Sequence, residues 1–195
     1  MKQDKPLLLL SGTPASGKDT ITRLLVELDP RFCHFKKHRS SNQPKADGTY
    51  INVTPDEFSS MLAQGAFLQH HYRYDRGYGV ARSELDQHWA KGEIPIIHVG
   101  KYENISPLRT QEVKATSVLL MVSLSETQRR LQQRHAGDIE EVERRIAAYH
   151  EEREELAALV RSGNALEFDL IVDNSGENPK KIARLIAQLY TDQAS

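Results

Sequence analysis

The 195-residue sequence has little cysteine, no long apolar run and almost no excess of either charge. Its single cysteine, Cys33, excludes an internal disulfide framework and indicates a reducing compartment. No segment approaches the ~20 apolar residues of a membrane-spanning helix, and the apolar stretch near the N-terminus is shorter than the roughly 7–15 residues of a signal-peptide core. Lys and Arg number 26 against 27 for Asp and Glu, so neither nucleic acid nor a membrane is indicated as a partner. We therefore expect a soluble, cytoplasmic protein.

The apolar runs that are present are short and alternate with helical patterns. They are LLLL (7–10), IPIIHVG (94–100), TSVLLMVSL (116–124) and FDLIVDN (168–174). Continuous apolar runs of this length are typical of strands covered on both faces, so the pattern predicts an α/β fold with a parallel sheet. The length suits one domain. We place its core at 1–33 and 92–195 and a substrate-binding insertion at about 34–91.

The stretch from residue 34 to residue 80 has a different character. HFKK, TYINV and FLQHHYR are short, mixed polar and apolar segments interrupted by SSNQPKADG. They predict a small antiparallel or mixed β insertion. Loops and insertions at strand ends carry specificity in α/β proteins, so we expect the insertion to bind the substrate.

The segment GTPASGKDT (residues 12–20) follows the first apolar run and precedes a helical pattern. It fits the phosphate-binding pattern G-x-x-x-x-G-K-[ST] except at its last position. Glycines let such a loop turn tightly around phosphate oxygens, so that backbone N–H groups and a helix N-terminus point at the anion. The loop predicts an ATP site formed by Gly12, Ala15, Ser16, Gly17, Lys18, Asp19 and Thr20.

Asp19 occupies the position at which the pattern has a hydroxyl that touches magnesium. A carboxylate there is suited either to capping the helix or to holding Mg²⁺, since carboxylate oxygen is a good ligand for this hard cation. We favour the metal role, because a bare carboxylate beside a triphosphate would be repelled. Thr20 still offers a hydroxyl near the phosphates.

Several other stretches, taken with this loop, resemble the guanylate kinase family. ADGTYINVTPDEFSSMLAQGAFLQ and GYGVARSEL resemble its DG–Y–helix–GEFLE–YYG–S region, SETQRRLQQRHAGDIEEVERRI resembles its lid, and FDLIVDN resembles its last strand. The resemblance runs from about residue 6 to about residue 190. It implies a three-layer P-loop kinase with a parallel central sheet, a small β insertion and a helical lid at about 125–150. It also implies ATP and Mg²⁺ as cofactors.

The resemblance also implies roles for individual residues. The grip on the acceptor phosphate carries over onto Arg39, Tyr50 and Tyr78. The catalytic set would be Lys18, Arg130, Arg134 and Arg145, with Arg144 as a close competitor for the last position. Asn174 falls near the adenine of ATP. A phosphate acceptor is already ionised near neutral pH, so catalysis amounts to positioning two anions and neutralising charge, and no general base is required.

The guanine-reading part of the family pattern is largely replaced. Phe35 replaces a serine, Tyr72 replaces a carboxylate residue, and Val80 replaces a residue with a hydroxyl group. Asn42 replaces a second arginine that binds the acceptor phosphate. His98 ends a strand that has acidic residues in the family. A site built to hydrogen-bond a base discriminates by ~10⁴–10⁵, and a site without those groups cannot select guanine in that way.

Three functional interpretations follow. The favoured one is an ATP-dependent kinase acting on a small phosphorylated acceptor, either a nucleoside monophosphate or a sugar phosphate, with Phe35, Tyr72, Arg76 and His98 near the acceptor. The GKD variant and HHYRYDRGYGV (70–80) also resemble ribose 1,5-bisphosphate phosphokinase, in which case Arg73 and Arg76 would grip a second phosphate. The third is a non-catalytic interaction module, which Lys18 and the lid arginines disfavour. We expect a monomer or a homodimer.

Overall fold

A five-stranded parallel sheet forms the centre of the protein in the computed structural model, which describes residues 5–43, 48–73, 76–110, 112–163, 168–176 and 178–191. With strands numbered along the chain, their spatial order is β2 (Phe32–His34), β7 (Ile94–Val99), β1 (Pro6–Ser11), β8 (Lys114–Met121) and β9 (Leu170–Asp173). All four predicted apolar runs supply a strand of this sheet. The predicted parallel α/β architecture is therefore confirmed.

The central strand β1 explains why the sheet is covered on both faces. Leu7 and Leu9 point to one face and Leu8 and Leu10 to the other, as strand geometry dictates, and all four are fully buried. Helices α1 (Lys18–Leu28) and α6 (Pro179–Thr191) cover the face of Leu8. Helix α3 (Arg82–Ala90), with Trp89, covers the face of Leu7. The result is a three-layer fold.

Two further helices form the predicted helical lid beyond the sheet. They are α4 (Leu124–Arg134) and α5 (Ile139–Arg161), and the second continues well past the predicted end of the lid at residue 150. The hydroxyl of Ser123 and the carboxylate of Asp138 accept hydrogen bonds from the first turns of α4 and α5, respectively. No helix within the described ranges combines the length and apolar character needed to cross a membrane.

The described residues of the insertion form a four-stranded mixed sheet with helix α2 (Pro55–Ala63), whereas α3, which also lies within the predicted bounds 34–91, packs against the central sheet. The strands of the insertion, in spatial order, are β4 (Ile51–Val53), β3 (His38–Ser40), β6 (Arg76–Ala81) and β5 (Phe67–Arg73). Strands β3 and β4 are parallel, and the other two pairs are antiparallel. The segment HFKK is divided, because His34 ends β2 of the central sheet and only the residues after it lead into the insertion.

Aromatic packing against glycine holds the insertion sheet together. The rings of Phe58 and Phe67 stack with centroids 4.8 Å apart. Gly79 is buried under Phe67, and a Cβ atom on Gly79 would lie 2.5 Å from Cδ1 of that ring.

We predict that Gly79→Ala lowers the free energy of unfolding by about 1–3 kcal/mol, the usual cost of overpacking a close-packed site. Urea denaturation would measure it. The matched control is Gly176→Ala, because nothing lies within 4 Å of a Cβ at that exposed glycine. Equal stability of the two variants would contradict the packing argument.

Candidate active site

The phosphate loop joins β1 to α1 in a conformation that its glycines make accessible. Gly12 and Gly17 have φ angles of 147° and 95°, a region in which side chains are strained. Both also lack room for a side chain, since a Cβ would lie 2.5 Å from the carbonyl oxygen of Leu120 and 2.5 Å from Nδ2 of Asn174, respectively. The loop thus carries the backbone shape that a phosphate cradle needs.

Lys18 is the first residue of α1, and its ammonium group curls back over the loop. Nζ donates to the carbonyl oxygens of Gly12 at 2.5 Å and Thr13 at 3.2 Å, and it lies 3.3 Å from the hydroxyl of Ser16. Burial lowers the pKa of Lys18 below its usual value. The ammonium therefore lies at the helix N-terminus, where an anion is favoured.

Asp19 does not cap the helix, so that alternative is wrong. Gly17 is the N-cap residue, and Asp19 follows Lys18 in the first turn, where its side chain is 81% exposed. Its Oδ1 atom lies 3.7 Å from Nδ1 of His98. The loop also has buried hydroxyls on Ser11 and Thr13 without a partner among the described residues. Carboxylate oxygen is a ligand that Mg²⁺ prefers, so the exposed side chain of Asp19 fits the cofactor.

Arg130 of the lid is bonded to the loop. Its guanidinium donates to the carbonyl oxygens of Ala15 at 3.0 Å and Asn174 at 2.6 Å, and to the carboxylate of Glu126 at 2.7 Å. Asn174 is buried, and its Nδ2 donates to the carbonyl oxygen of Ser16 at 2.7 Å. Asn174 therefore braces the loop with its amide, and contact with adenine stays a prediction.

The other lid arginines differ in their placement. Arg144 and Arg145 both donate to the carboxylate of Glu141, through Nε at 2.8 Å and 2.7 Å, and both line the same cavity as the loop. Arg134 is exposed near the end of α4 and does not line that cavity. Its positive charge nevertheless lowers the pKa of Lys18, as the charge of Arg145 does.

A cavity of about 350 Å³ extends from the phosphate loop into the insertion and under the lid. Its loop side is Gly12, Pro14 and Lys18, and its lid side is Arg144, Arg145, Ala148 and Glu152. The ends of β2 and β7 contribute His34, His98 and Gly100, and the insertion side, with the segment leading into it, is Phe35, Lys37, Thr49, Tyr50, His71, Arg73 and Tyr78. Four predicted acceptor residues, Phe35, Tyr50, Tyr78 and His98, are thus brought together beside the ATP loop. Phe35 is only 2% exposed and belongs mainly to the core.

Three predicted acceptor residues lie elsewhere. Tyr72 and Arg76 line a second cavity with Asn42, to which no residue of the phosphate loop contributes, and this corrects the expectation that they lie near the acceptor. Neighbouring strand residues point to opposite faces, so His71 and Arg73 enter the main cavity where Tyr72 does not. Arg39 is buried behind Tyr50, with its guanidinium carbon 5.9 Å from the ring centroid.

His71, which lies opposite Tyr78 in the antiparallel pair of β5 and β6, is a site residue that the sequence interpretation missed. Its ring stacks on Tyr78 at 5.3 Å and 14°. Gln69 bridges behind it, with Nε2 3.2 Å from Nδ1 of His71 and 2.8 Å from the accepting Oδ1 of buried Asn104. Burial, reinforced by Lys37 and Arg73, lowers the pKa of His71 to about 4. The ring is therefore neutral near neutral pH.

His98 is also neutral, and so it does not replace the carboxylates of the family pattern. Burial, followed by the charges of His34, Lys18 and Lys37, lowers its pKa to about 3. Nε2 of His98 lies 2.7 Å from the hydroxyl of Thr22, and its carbonyl oxygen accepts from Nζ of Lys37 at 2.6 Å. Burial lowers the pKa of Lys37 to about 8.

Glu152 is a second site residue that the sequence interpretation missed, because a glutamate in the middle of a helix gives no distinct signal in the sequence. It is 9% exposed and is the one carboxylate among the described residues that line the cavity. Burial raises its pKa to about 7, and the charges of Lys18 and Arg73 act in the opposite direction. A carboxyl group that titrates near neutral pH thus faces the cations of the site.

A phosphate loop at the C-terminal edge of a parallel sheet, roofed by an arginine-bearing helical lid and open to an acceptor cavity, defines a P-loop phosphotransferase. The sequence model of the family described as guanylate kinase matches residues 3–188. The chain belongs to the guanylate kinase family and is an ATP-dependent kinase.

Individual relatives agree with this assignment. The chain is 27% identical over 194 residues to the guanylate kinase of Helicobacter pylori strain J99, covering 96% of this chain and 89% of the relative. It is 23% identical to that of Mycoplasmopsis synoviae, covering 96% and 95%. The crystal structure of guanylate kinase from Anaplasma phagocytophilum superposes with a TM-score of 0.65 at 18% identity, covering 98% and 87%, and so supports the fold.

The raised pKa of Glu152 makes stability depend on pH. The folded-state pKa, about 7, lies above the ordinary value of 4.5, so the native state binds the proton more tightly. Stability contributed by this group is therefore lost as pH rises from about 4.5 to about 7. We predict that Glu152→Gln increases the free energy of unfolding by about 1–3 kcal/mol more at pH 8 than at pH 5, by the usual 1.36 kcal/mol per pKa unit.

Urea denaturation at the two pH values would measure this difference. Glu151→Gln is the matched control, because that neighbouring glutamate is exposed. A stabilisation by Glu152→Gln that is the same at both pH values would rule out a buried, titrating carboxyl group.

Proposed function

We propose that the protein transfers the γ-phosphate of ATP to the phosphate group of a small acceptor other than GMP, with a phosphorylated sugar as the favoured class. The supporting observation is the burial, location and charge of the side chains at four positions where the family pattern has guanine-binding residues. Phe35 and Val80 belong to the apolar core, with 2% and 0% exposure. Tyr72 lies outside the cavity, and His98 is neutral and bonded to Thr22.

The lining of the cavity supports an acceptor rich in phosphate and hydroxyl groups. Lys37 and Arg73 add positive charge on the acceptor side, beyond that of Lys18 and the lid. Arginine in particular suits phosphate, because its donors form a fixed fork. The hydroxyls of Tyr50 and Tyr78 and the neutral ring of His71 provide uncharged hydrogen-bonding groups for sugar hydroxyls.

The reaction requires alignment and charge neutralisation. An ionised oxygen of the acceptor phosphate attacks the γ-phosphorus of ATP, a new P–O bond forms, and the bond from the γ-phosphorus to the β,γ-bridging oxygen breaks to release ADP. No proton is transferred, so the reaction requires no general base. Lys18 and the lid arginines neutralise the equatorial oxygens. Asp19 would hold Mg²⁺, which would supply further neutralisation of phosphate charge when bound.

A panel of acceptors tests the proposal. ADP formation should be measured with GMP, AMP, ribose 5-phosphate and ribose 1,5-bisphosphate at equal ATP and Mg²⁺, with the Lys18→Met variant as the blank. We expect kcat/KM for the best sugar phosphate to exceed that for GMP by at least ~10²-fold, because the hydrogen bonds that select a base are missing.

GMP as the best acceptor would overturn the sugar-phosphate proposal and leave the chain an ordinary guanylate kinase. No turnover with any of the four, together with weak ATP binding, would instead favour the non-catalytic interaction module.

A separate prediction concerns magnesium. Since Asp19 is exposed beside the loop and has no capping bond, we propose that its carboxylate holds the metal. Asp19→Ala should then raise the Mg²⁺ concentration needed for half-maximal activity by about tenfold, while KM for ATP at saturating Mg²⁺ changes less than about threefold, because loss of a ligand weakens the metal rather than the phosphate cradle.

Asp56→Ala is the matched control, because Asp56 is the exposed second residue of α2 and lies in a first helical turn as Asp19 does. Equal, small shifts in the requirements for Mg²⁺ and ATP in Asp19→Ala would remove the metal role.

A further inference from the structure

Three side chains with metal-ligating atoms converge at the edge of the central sheet, apart from the cavity. They are Cys33 of β2, His88 in the last turn of α3 and Glu93 directly before β7. Their ligand atoms all lie within 4.8 Å of one another. Sγ of Cys33 lies 3.3 Å from Nδ1 of His88, and Oε2 of Glu93 lies 2.5 Å from the same nitrogen.

Regular backbone fixes all three positions. Cys33 pairs with Pro95 where β2 meets β7, two residues beyond Glu93. The turn between α3 and β7 is closed by hydrogen bonds from the N–H groups of Lys91 and Glu93 to the carbonyl oxygen of His88. The backbone therefore already holds the three ligand groups around one point, so that only their side chains would need to adjust to an ion.

The three groups also hydrogen-bond one another, with the carboxylate of Glu93 within reach of both the thiol of Cys33 and Nδ1 of His88. A cation between the three atoms would be shared by all of them. The side chains of His88 and Glu93 are 24% and 30% exposed, so an ion can enter and a water molecule can complete its coordination.

We propose that Cys33, His88 and Glu93 bind one divalent transition-metal ion of the zinc class. Thiolate, imidazole and carboxylate together favour Zn²⁺ or Co²⁺, whereas Mg²⁺ prefers oxygen alone. The site braces the short edge strand β2 against α3. It lies behind Phe35, whose ring centroid is 5.8 Å from that of His88 and which lines the acceptor cavity. This site is independent of the proposed acceptor.

Cobalt titration of the full chain, without nucleotide, tests the site directly. Cys33 is the only cysteine, so a thiolate-to-cobalt charge-transfer band in the near ultraviolet can arise at this site alone. We expect the band to saturate at one equivalent of Co²⁺, to disappear on addition of Zn²⁺, and to be absent in Cys33→Ser. His88→Ala should weaken Co²⁺ binding by about tenfold or more, and His150→Ala, an exposed histidine on α5, should leave it unchanged.

Alkylation of Cys33 by iodoacetamide provides a second readout that does not depend on cobalt spectroscopy. Zn²⁺ should slow the reaction in the wild-type protein and have little effect in His88→Ala, with folding of each variant checked by circular dichroism. A folded wild-type protein without the band, or protection by Zn²⁺ that persists in His88→Ala, would overturn the proposed site.

Discussion

Hydrogen bonds from side chains far along the chain hold the backbone of the phosphate loop. Asn174, just after β9, donates to the carbonyl of Ser16, and Arg130 of the lid donates to the carbonyls of Ala15 and Asn174. A glycine-containing loop loses much conformational entropy on ordering and has few contacts of its own. These external bonds supply the missing order. The last strand, the lid and the loop thereby form one network, and its geometry determines where the ammonium of Lys18 points.

Charge imposes the next constraint, because the cavity gathers five cationic side chains around Glu152, the single carboxylate among the described lining residues. The cations are Lys18, Lys37, Arg73, Arg144 and Arg145. Such a concentration of cations favours anions strongly and disfavours further positive charge. The neutral state of His71 and His98 follows from the same field, since burial and the surrounding cations both act against protonation. The cavity is thus cationic on its loop side, its lid side and its insertion side, with uncharged histidine and tyrosine side chains between the cations.

Local chemistry explains which features could be predicted from the sequence. Apolar runs of strand length predicted the parallel sheet because both faces of each central strand are buried, and the loop was predictable because its glycines meet a backbone requirement within nine residues. Features that depend on the direction of a side chain could not be predicted from the sequence. Tyr72 was predicted to lie near the acceptor, but its neighbour His71 faces the cavity instead. Asp19 was a candidate for the helix cap, but Gly17 is the N-cap residue of α1. The cluster of Cys33 with His88 brings together residues 55 positions apart, which no local pattern signals.

The two sheets carry different parts of the site, so that substitutions on the acceptor side can be made without altering the phosphate loop. Lys18, Arg130 and Asn174 lie next to the central sheet or in the lid. They serve the loop backbone and the transferred phosphate, and that phosphate is common to every reaction of this class. Tyr50, His71 and Tyr78 belong to the insertion, where they contact one another through aromatic packing rather than through the loop. Substitutions in the insertion sheet therefore alter the acceptor cavity without disturbing the hydrogen bonds that shape the phosphate loop. Because energetic coupling between residues without shared partners is small, a loss of guanine contacts carries little penalty for phosphoryl transfer itself.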